Sequence, residues 1–358
     1  MKIVHVQNCL ALGGADILVI ELATQQLALG HDVAICTLEG AGPLDAAARA
    51  NGLRVDHLDA GRSLLRQVRA LYSYFKSTKP DAVNSHWRAW LPTALATAAR
   101  RIPYIHTHHG NSSRKETLKD RVGALLTDKV VSLAPETDRY LTVYAGVPQR
   151  KIVLIPNGIN LERFAASPRT EIEGIPAESP VAGMVARLFP PKDYSTLLRA
   201  AKLLNQQMPG LHFVAVGDGA KRLELEEEMR TLGVVNFHFL GARLDVPAIL
   251  RRLDVFVLST RHEGHSLSLI EAMAAGCLPI ASDIPPNRYS LEDGRSGILF
   301  EPGNPAALAE AIIRGLTDES LRALLVQASR ERCAYFSSRR MATDYLALYA
   351  SILARSAR

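Results

Sequence analysis

The chain passes repeatedly from strand-like to helix-like patterning, and that alternation limits its fold more than any other property. In the first half the strand-like runs are KIVHVQ from Lys2, DVAICT from Asp32, DAVNSH from Asp81, PYIHTH from Pro103 and KVVSLA from Lys129. Helical stretches such as Ala15–Leu29 and Leu91–Arg101 lie between them. Strands separated by helices imply a parallel sheet covered by helices. The stretch ASPRTEIEGIPAESP, Ala166 to Pro180, is rich in Pro, Ser and charge and reads as a linker. The alternation then restarts with VAGMVAR, a helix from Asp193 to Gln207, LHFVAVG, a helix from Lys221 to Leu232, NFHFLG, a helix to Leu253, and DVFVLS. The expectation is an α/β protein of two doubly wound, Rossmann-like domains facing a cleft. The domains are expected at 1–165 and 181–338, joined by the linker 166–180. A last helix, 339–358, carries Met341, Tyr345, Leu348, Tyr349 and Ile352 in phase and is expected to pack back across the junction onto the first domain.

A length of 358 residues suits two domains, and 47% hydrophobic with 22% charged residues is ordinary for a folded globular chain. No apolar run reaches membrane-helix length. The N-terminus reads as a first strand and not as a signal peptide, so a cytoplasmic location is expected. Cys9, Cys36, Cys277 and Cys333 match no metal or disulfide spacing and are expected as buried, reduced thiols. The net charge of +6 belongs to the first half, with 19 Lys/Arg against 13 Asp/Glu in residues 1–160. Gly61–Lys79 holds five basic residues and no acid, with Leu64, Leu65, Val68, Leu71, Tyr72 and Phe75 as an apolar face. Such a helix fits peripheral contact with an anionic inner membrane face, and equally a crossover helix with a solvated basic side. Nothing points to nucleic acid.

The chemistry concentrates in EGHSLSLIEAMAAG, Glu263 to Gly276. Between Gly264 and Ser282 the one formal charge is Glu271. A carboxylate among aliphatic residues is costly unless something binds it. Leu267, Ile270 and Ala274 recur at helical spacing, Ser266 stands as the N-cap and Gly276 as the stop. Unpaired backbone N–H groups around His265 to Ser268 would suit a phosphate. Glu271, about one turn inside and roughly 6 Å along the axis, would then meet a ribose diol. Glu263 could reach hydroxyls beyond the phosphates.

Other segments fall at strand ends. ALGGAD, Ala11 to Asp16, follows the first strand, where Gly13 and Gly14 permit positive φ and close approach of a ligand. It is neither GxGxxG nor Walker A. Arg187 ends the VAGMVAR strand and Lys192 opens the next helix, a pair that suits a diphosphate. GDGAKRLE, from Gly217, is another glycine turn. HTHHG, His106 to Gly110, lacks a metal-site spacing, and strand alternation sends His106 and His108 one way and His109 the other. No Asp-x-Asp exists to cradle a metal-bound diphosphate. No metal or other cofactor is expected.

The segment EGHSLSLIEAMAAGCLPIASD resembles the E-x7-E signature of retaining glycosyltransferase family 4 (glycosyl transferases group 1), which has the GT-B fold. GGAD, HTHHG, KIVLIPNGIN with Phe164, ARLFPPKD, NFHFLG, DVFVLSTRHEG and SGILFEPGNP follow in the family's order across almost the whole chain. The resemblance implies a nucleoside-diphosphate-sugar donor, UDP before GDP, and a glycan or lipid-linked acceptor in cell-surface polysaccharide or lipopolysaccharide synthesis. It implies that Arg187 and Lys192 hold the diphosphate and that Glu271 binds ribose. Glu263 and His109 are then near the reacting sugar. His265, Ser266, Leu267 and Ser268 meet sugar and phosphate, Leu240, Ala242 and Arg243 meet the base, and Gly14 and Gly217 line the donor site. Gly13, Asp16, His86 and His109 fall on the acceptor side. The chain departs from the family in Asp16 for a common Glu, Asn160 for a common Asp, and His265-Ser266 for Phe-Gly or Phe-Pro. The last change implies a different wall around the donor sugar. A glycoside hydrolase using Glu263 and Glu271 would leave Arg187 and Lys192 without a purpose. A non-catalytic GT-B subunit that binds a nucleotide or partner, and an epimerase, are the other readings.

Overall fold

The computed structural model describes residues 1–11, 13–109 and 118–356; Leu12 of the first glycine turn and Gly110 of the HTHHG segment lie outside them. The chain forms two compact units. The first comprises Met1–Ile159 with Ser337–Arg358, the second Asn160–Phe336.

The first unit has seven strands: β1 Lys2–Gln7, β2 Asp32–Thr37, β3 Arg54–His57, β4 Ala82–His86, β5 Tyr104–Thr107, β6 Lys129–Ser132 and β7 Ile152–Leu154. Their order is β3-β2-β1-β4-β5-β6-β7, and every pairing is parallel. The central strands β1 and β4 are almost wholly buried, as in a helix-covered parallel sheet. Val4, Val6, Cys36, Leu71, Phe75, Val83 and Tyr104 share one core. The helix Leu64–Thr78 buries a stripe of Gln67, Leu71 and Phe75. Leu64, Leu65 and Tyr72, expected on the same apolar face, are exposed instead. Leu65 and Tyr72 fall off the 67–71–75 stripe, and Leu64, in phase with it, is the first residue of the helix.

The second unit has six strands: β8 Val181–Val185, β9 His212–Val216, β10 Phe237–Gly241, β11 Val255–Leu258, β12 Leu278–Ser282 and β13 Ile298–Phe300. Their order is β10-β9-β8-β11-β12-β13, again all parallel. The helix Leu267–Ala275 buries Leu269, Ile270, Ala272, Met273 and Ala275. It packs on the helices Leu161–Ala165, Val246–Arg252 and Glu319–Cys333.

The division differs from the sequence reading. It falls between Ile159 and Asn160, because Phe164 is buried and its short helix packs on Leu267–Ala275. Residues 166–180 are part of the second unit and no free linker. Ile172 and Ile175 are buried there, and Arg252 donates to the carbonyls of Pro176 at 3.0 Å and Ser179 at 2.8 Å. Pro, Ser and charge mark an irregular path, and buried isoleucines fix it. All four cysteines are free, but Cys9 is only half-buried.

The helix Ser338–Ser356 clusters with the first unit and packs on the helix Gly14–Ala28. Met341, Tyr345, Tyr349 and Ile352 are buried. Thr107 Oγ1 donates to Asn84 Oδ1 at 3.0 Å and lies 3.0 Å from Tyr345 Oη, which leaves the tyrosine as donor in that second bond. Tyr345→Phe should cost about 1 kcal/mol and Tyr345→Ala about 3–5 kcal/mol in urea unfolding. An unchanged urea midpoint for Tyr345→Ala would remove this helix from the core of the first unit.

Candidate functional site

Each sheet reverses its direction of growth once. In the first unit the reversal lies between β1 and β4, in the second between β8 and β11. At such a point the following loops diverge and leave a crevice at the carboxyl ends of the strands, where open α/β sheets bind ligands. Most residues singled out in the sequence follow strands at or next to these two places; Leu240, Ala242 and Arg243 lie apart, on and after the edge strand β10.

In the second unit, Arg187 lies two residues beyond β8 and Lys192 closes a 3₁₀ turn, Pro190–Lys192. Asp193 follows in the left-handed region, φ 50°, before the helix Tyr194–Gln207. The loop after β11 is stitched to this turn. Ser259 Oγ donates to the Asp193 carbonyl at 2.9 Å, Thr260 Oγ1 to that of Pro191 at 2.8 Å, and Arg261 Nε to Asp193 Oδ2 at 2.8 Å. Lys192 Nζ forms an ion pair with Glu263. Arg187 is exposed, sits over the Phe189 ring at 5.9 Å, and has no ion pair among the described residues. Gly217, after β9, has φ 136°, and a Cβ there would lie 2.1 Å from the Ala186 carbonyl oxygen. Only glycine lets the β9 loop run this close to the Arg187 loop.

The helix Leu267–Ala275 starts beside this crevice. Ser266 is its N-cap by position, φ −77° and ψ 114°, but its side chain caps no backbone N–H. Its Oγ sits 3.3 Å from Ser268 Oγ. The first-turn amides are therefore not satisfied by the Ser266 side chain. Glu271, one turn in, makes no hydrogen bond or ion pair among the described residues. Burial raises its carboxyl to about 7, with a smaller opposing pull from Arg163.

His265 directly precedes the N-cap residue Ser266. Its ring is buried, 5.1 Å from Phe336 and 6.0 Å from Tyr289. Burial, and secondarily Arg332, lowers it to about 3, so the ring is neutral. Ser266 is buried as well. Leu240 and Arg243 line a cavity of about 380 Å³ with Glu171, Glu173 and His238. The Arg243 guanidinium is held by both oxygens of Asp245, at 2.8 and 2.7 Å, which leaves Ala242 and Leu240 the less committed of the three.

In the first unit, Gly13 and Gly14 adopt no positive φ. Gly13 is extended at −140° and Gly14 opens the helix Gly14–Ala28. The smallness of Gly13 serves another end: a Cβ there would lie 2.9 Å from Asp16 Oδ2. Asp16 accepts from Gln7 Nε2 at 3.2 Å, and burial raises it to about 6. The histidines of the HTHHG segment separate. His106 stacks on Trp90 at 4.1 Å, His108 on Tyr140 at 5.3 Å, and His109 Nε2 meets His86 Nδ1 at 2.9 Å. Among the described residues no group of three His, Cys, Asp or Glu side chains is placed to hold a metal.

Some residues of these crevices were not singled out in the sequence. Asp193, Ser259, Thr260 and Arg261 hold the two loops of the second unit together, the hydroxyls through backbone carbonyls and Arg261 through the Asp193 carboxylate. Trp87, next to His86, lies in the left-handed region at φ 51°, uncommon for a bulky side chain, and stacks on His109 at 5.7 Å. A tryptophan directly after a strand end was the available signal.

Two family models match the chain: Glycosyltransferase Family 4 over residues 12–163 and Glycosyl transferases group 1 over residues 169–332. The chain belongs to glycosyltransferase family 4. A relative from Escherichia coli, UDP-Gal:alpha-D-GlcNAc-diphosphoundecaprenol alpha-1,3-galactosyltransferase, is 29% identical over 75% of this chain and 74% of its own. D-inositol 3-phosphate glycosyltransferase of Saccharomonospora viridis is 25% identical over 96% of this chain and 90% of its own. Among solved structures, Anabaena HepE in complex with UDP and glucose superposes with TM-score 0.84 at 20% identity, covering 98% of this chain and 100% of that one. Sucrose-phosphate synthase from Thermosynechococcus elongatus gives 0.81 at 22%, covering 99% and 100%. These likenesses give the glycosyltransferase the GT-B fold.

The Glu271 carboxyl makes a testable statement about stability. Its folded value, about 7, lies above the ordinary 4.5, so the folded state holds the proton more tightly than the unfolded one. Stability is lost as pH rises through 7. Glu271→Gln should therefore stabilise the ligand-free protein at pH 8 by about 1 kcal/mol, roughly 2–4 °C, and by nothing near pH 4.5. Melting curves at the two pH values check it; a gain of equal size at both would refute it.

Proposed function

We propose that this glycosyltransferase moves a sugar from a UDP-sugar to a hydroxyl of a glycan or lipid-linked acceptor, with retention at the anomeric carbon. One observation carries the reading. Beside the reversal of the second sheet lie a helix N-terminus whose Ser266 side chain caps no backbone N–H, an Arg187 with no ion pair among the described residues, the Lys192–Glu263 pair and, one turn into that helix, a Glu271 with no hydrogen bond or ion pair among the described residues. N–H donors and cations favour a diphosphate, and a carboxylate one turn further in suits a ribose diol. Glu263, fixed by Lys192, is placed to accept from hydroxyls of the donor sugar.

In the reaction the glycosidic C–O bond to the diphosphate breaks and the acceptor oxygen bonds to the same carbon. The acceptor proton goes to the leaving phosphate oxygen on the same face, which gives retention. Arg187, Lys192 and the first-turn amides stabilise the charge that develops on that phosphate. No metal is required for this, since side chains and the helix terminus supply the positive field. UDP is favoured over GDP because the E. coli relative is named for UDP-Gal and HepE was solved with UDP. A lipid-linked acceptor is favoured because that same relative is named for a diphosphoundecaprenol substrate, and the first half of this chain carries the whole basic excess. The exposed Leu64, Leu65 and Tyr72, among Arg62, Arg66, Arg69 and Lys76, fit peripheral contact with an anionic inner membrane face. No described helix is long and apolar enough to cross a membrane.

A thermal-shift series with UDP-, GDP- and ADP-sugars should show the largest rise with UDP-sugars. Replacing both Arg187 and Lys192 by Ala should lower transfer about 10²–10³-fold. Near-normal turnover in the double variant would sink the leaving-group role. A larger shift with GDP-sugars would reassign the base.

A further inference from the structure

Four side chains of the first unit form one hydrogen-bonded line. Gln26 Oε1 lies 2.8 Å from His5 Nε2. His5 Nδ1 lies 3.1 Å from His86 Nε2. His86 Nδ1 lies 2.9 Å from His109 Nε2. Gln26, His5 and His86 are fully buried, and His109 is half-buried at the end of the line. The line leads from the helix Gly14–Ala28 through β1 and β4 to the residue two places beyond β5, across the reversal point of the sheet.

A neutral imidazole has one N–H and one lone pair, so each ring must donate through one nitrogen and accept through the other. The Gln26 carbonyl oxygen can only accept. His5 Nε2 therefore carries its proton, and His5 Nδ1 is the acceptor. His86 Nε2 must donate to it, which makes His86 Nδ1 an acceptor. His109 Nε2 donates in turn, and His109 Nδ1 is left with its lone pair. No described residue hydrogen-bonds that Nδ1.

We propose that Gln26, His5 and His86 are positioning residues that lock His109 as its Nε2–H tautomer, so that His109 Nδ1 accepts a hydrogen bond from a substrate hydroxyl. The counting requires neutral rings, and burial supplies them. His5 is lowered to about 4, His109 to about 3, and His86 well below its ordinary value, with the neighbouring histidines adding to the last two. The stacked Trp87 ring, 5.7 Å away at an interplanar angle of 22°, fixes the plane of the terminal imidazole. Aligned N–H···N bonds also polarise one another, which strengthens the exposed lone pair. The role in substrate binding rests on the glycosyl-transfer reading; the tautomer itself does not.

The test uses the full chain labelled with ¹⁵N-histidine at neutral pH, with ring resonances assigned by single His→Asn variants. Long-range ¹H–¹⁵N correlation should show His5, His86 and His109 each with a protonated Nε2 and a pyridine-type Nδ1. A protonated Nδ1 on His109 would overturn the proposal whatever the enzyme transfers. Gln26→Leu removes the terminal acceptor. His109 should then populate both tautomers, and kcat should fall about tenfold with donor KM little changed. Gln26→Glu keeps an accepting oxygen and should restore both the single tautomer and most of kcat. A role in packing alone predicts the reverse order, since Leu suits a buried site and a carboxylate does not. Full kcat in Gln26→Leu, with the tautomer mixed, would also overturn the proposal. Absence of transfer from any donor in the wild-type chain would instead fall on the functional reading and leave the tautomer measurement standing.

Discussion

In an all-parallel sheet, two neighbouring strands whose connections leave in opposite directions cannot cover the gap between their own carboxyl ends. This chain has one such pair in each unit, β1 with β4 and β8 with β11. The rest of its chemistry depends on keeping those gaps shaped. In the second unit the shaping is done by backbone carbonyls. Ser259 and Thr260 donate into the Pro190–Asp193 turn, and Gly217 permits the next loop to lie against Ala186. Side chains that carry charge are thus mounted on loops held by uncharged hydrogen bonds, which salt weakens little, together with the Arg261–Asp193 ion pair.

The charges there are arranged unequally. Lys192 is neutralised by Glu263, whereas Arg187 is exposed with no anionic partner among the described residues. An anion that bound at Arg187 would have no carboxylate of the described residues to displace. Glu271 is the converse, a carboxyl with no donor among the described residues. It is tolerated because its proton is retained up to about pH 7, so the isolated protein need not bury a full charge. Ligand hydroxyls that donate to it would favour the ionised form, which couples ligand binding to release of that proton.

Much of this was legible in the sequence because it is carried by spacing. Strand-helix alternation gave the two sheets, and the single charge in an apolar helix marked Glu271. Order in the chain also placed Arg187 and Lys192 at a strand end. Three other features depended on contacts between distant residues. The boundary at Ile159 depends on where Phe164 packs, and the fixed path of residues 166–180 on Ile172, Ile175 and Arg252. The fate of His265 depends on Tyr289 and Phe336, far along the chain. A histidine in a ligand-binding motif reads as a functional ring until an aromatic pocket is found around it. The short edge strand β3, RVDH, escaped because charge on an exposed edge breaks the apolar pattern.

The two units also differ in the kind of polar group they offer. The second offers cations and N–H donors, which bind and stabilise anions. The first offers, around β1 and β4, histidines that burial keeps neutral and an Asp16 whose proton is lost only near pH 6. Lone pairs on neutral groups accept hydrogen bonds from hydroxyls without attracting phosphate. A reaction between a charged leaving group and a neutral alcohol needs both kinds, and mixing them within one crevice would make each less selective. A cation beside the histidines would lower their basicity further and attract anions to the first unit. Separate sheets, each with its own reversal point, keep the anion-binding chemistry and the hydroxyl-binding chemistry from interfering.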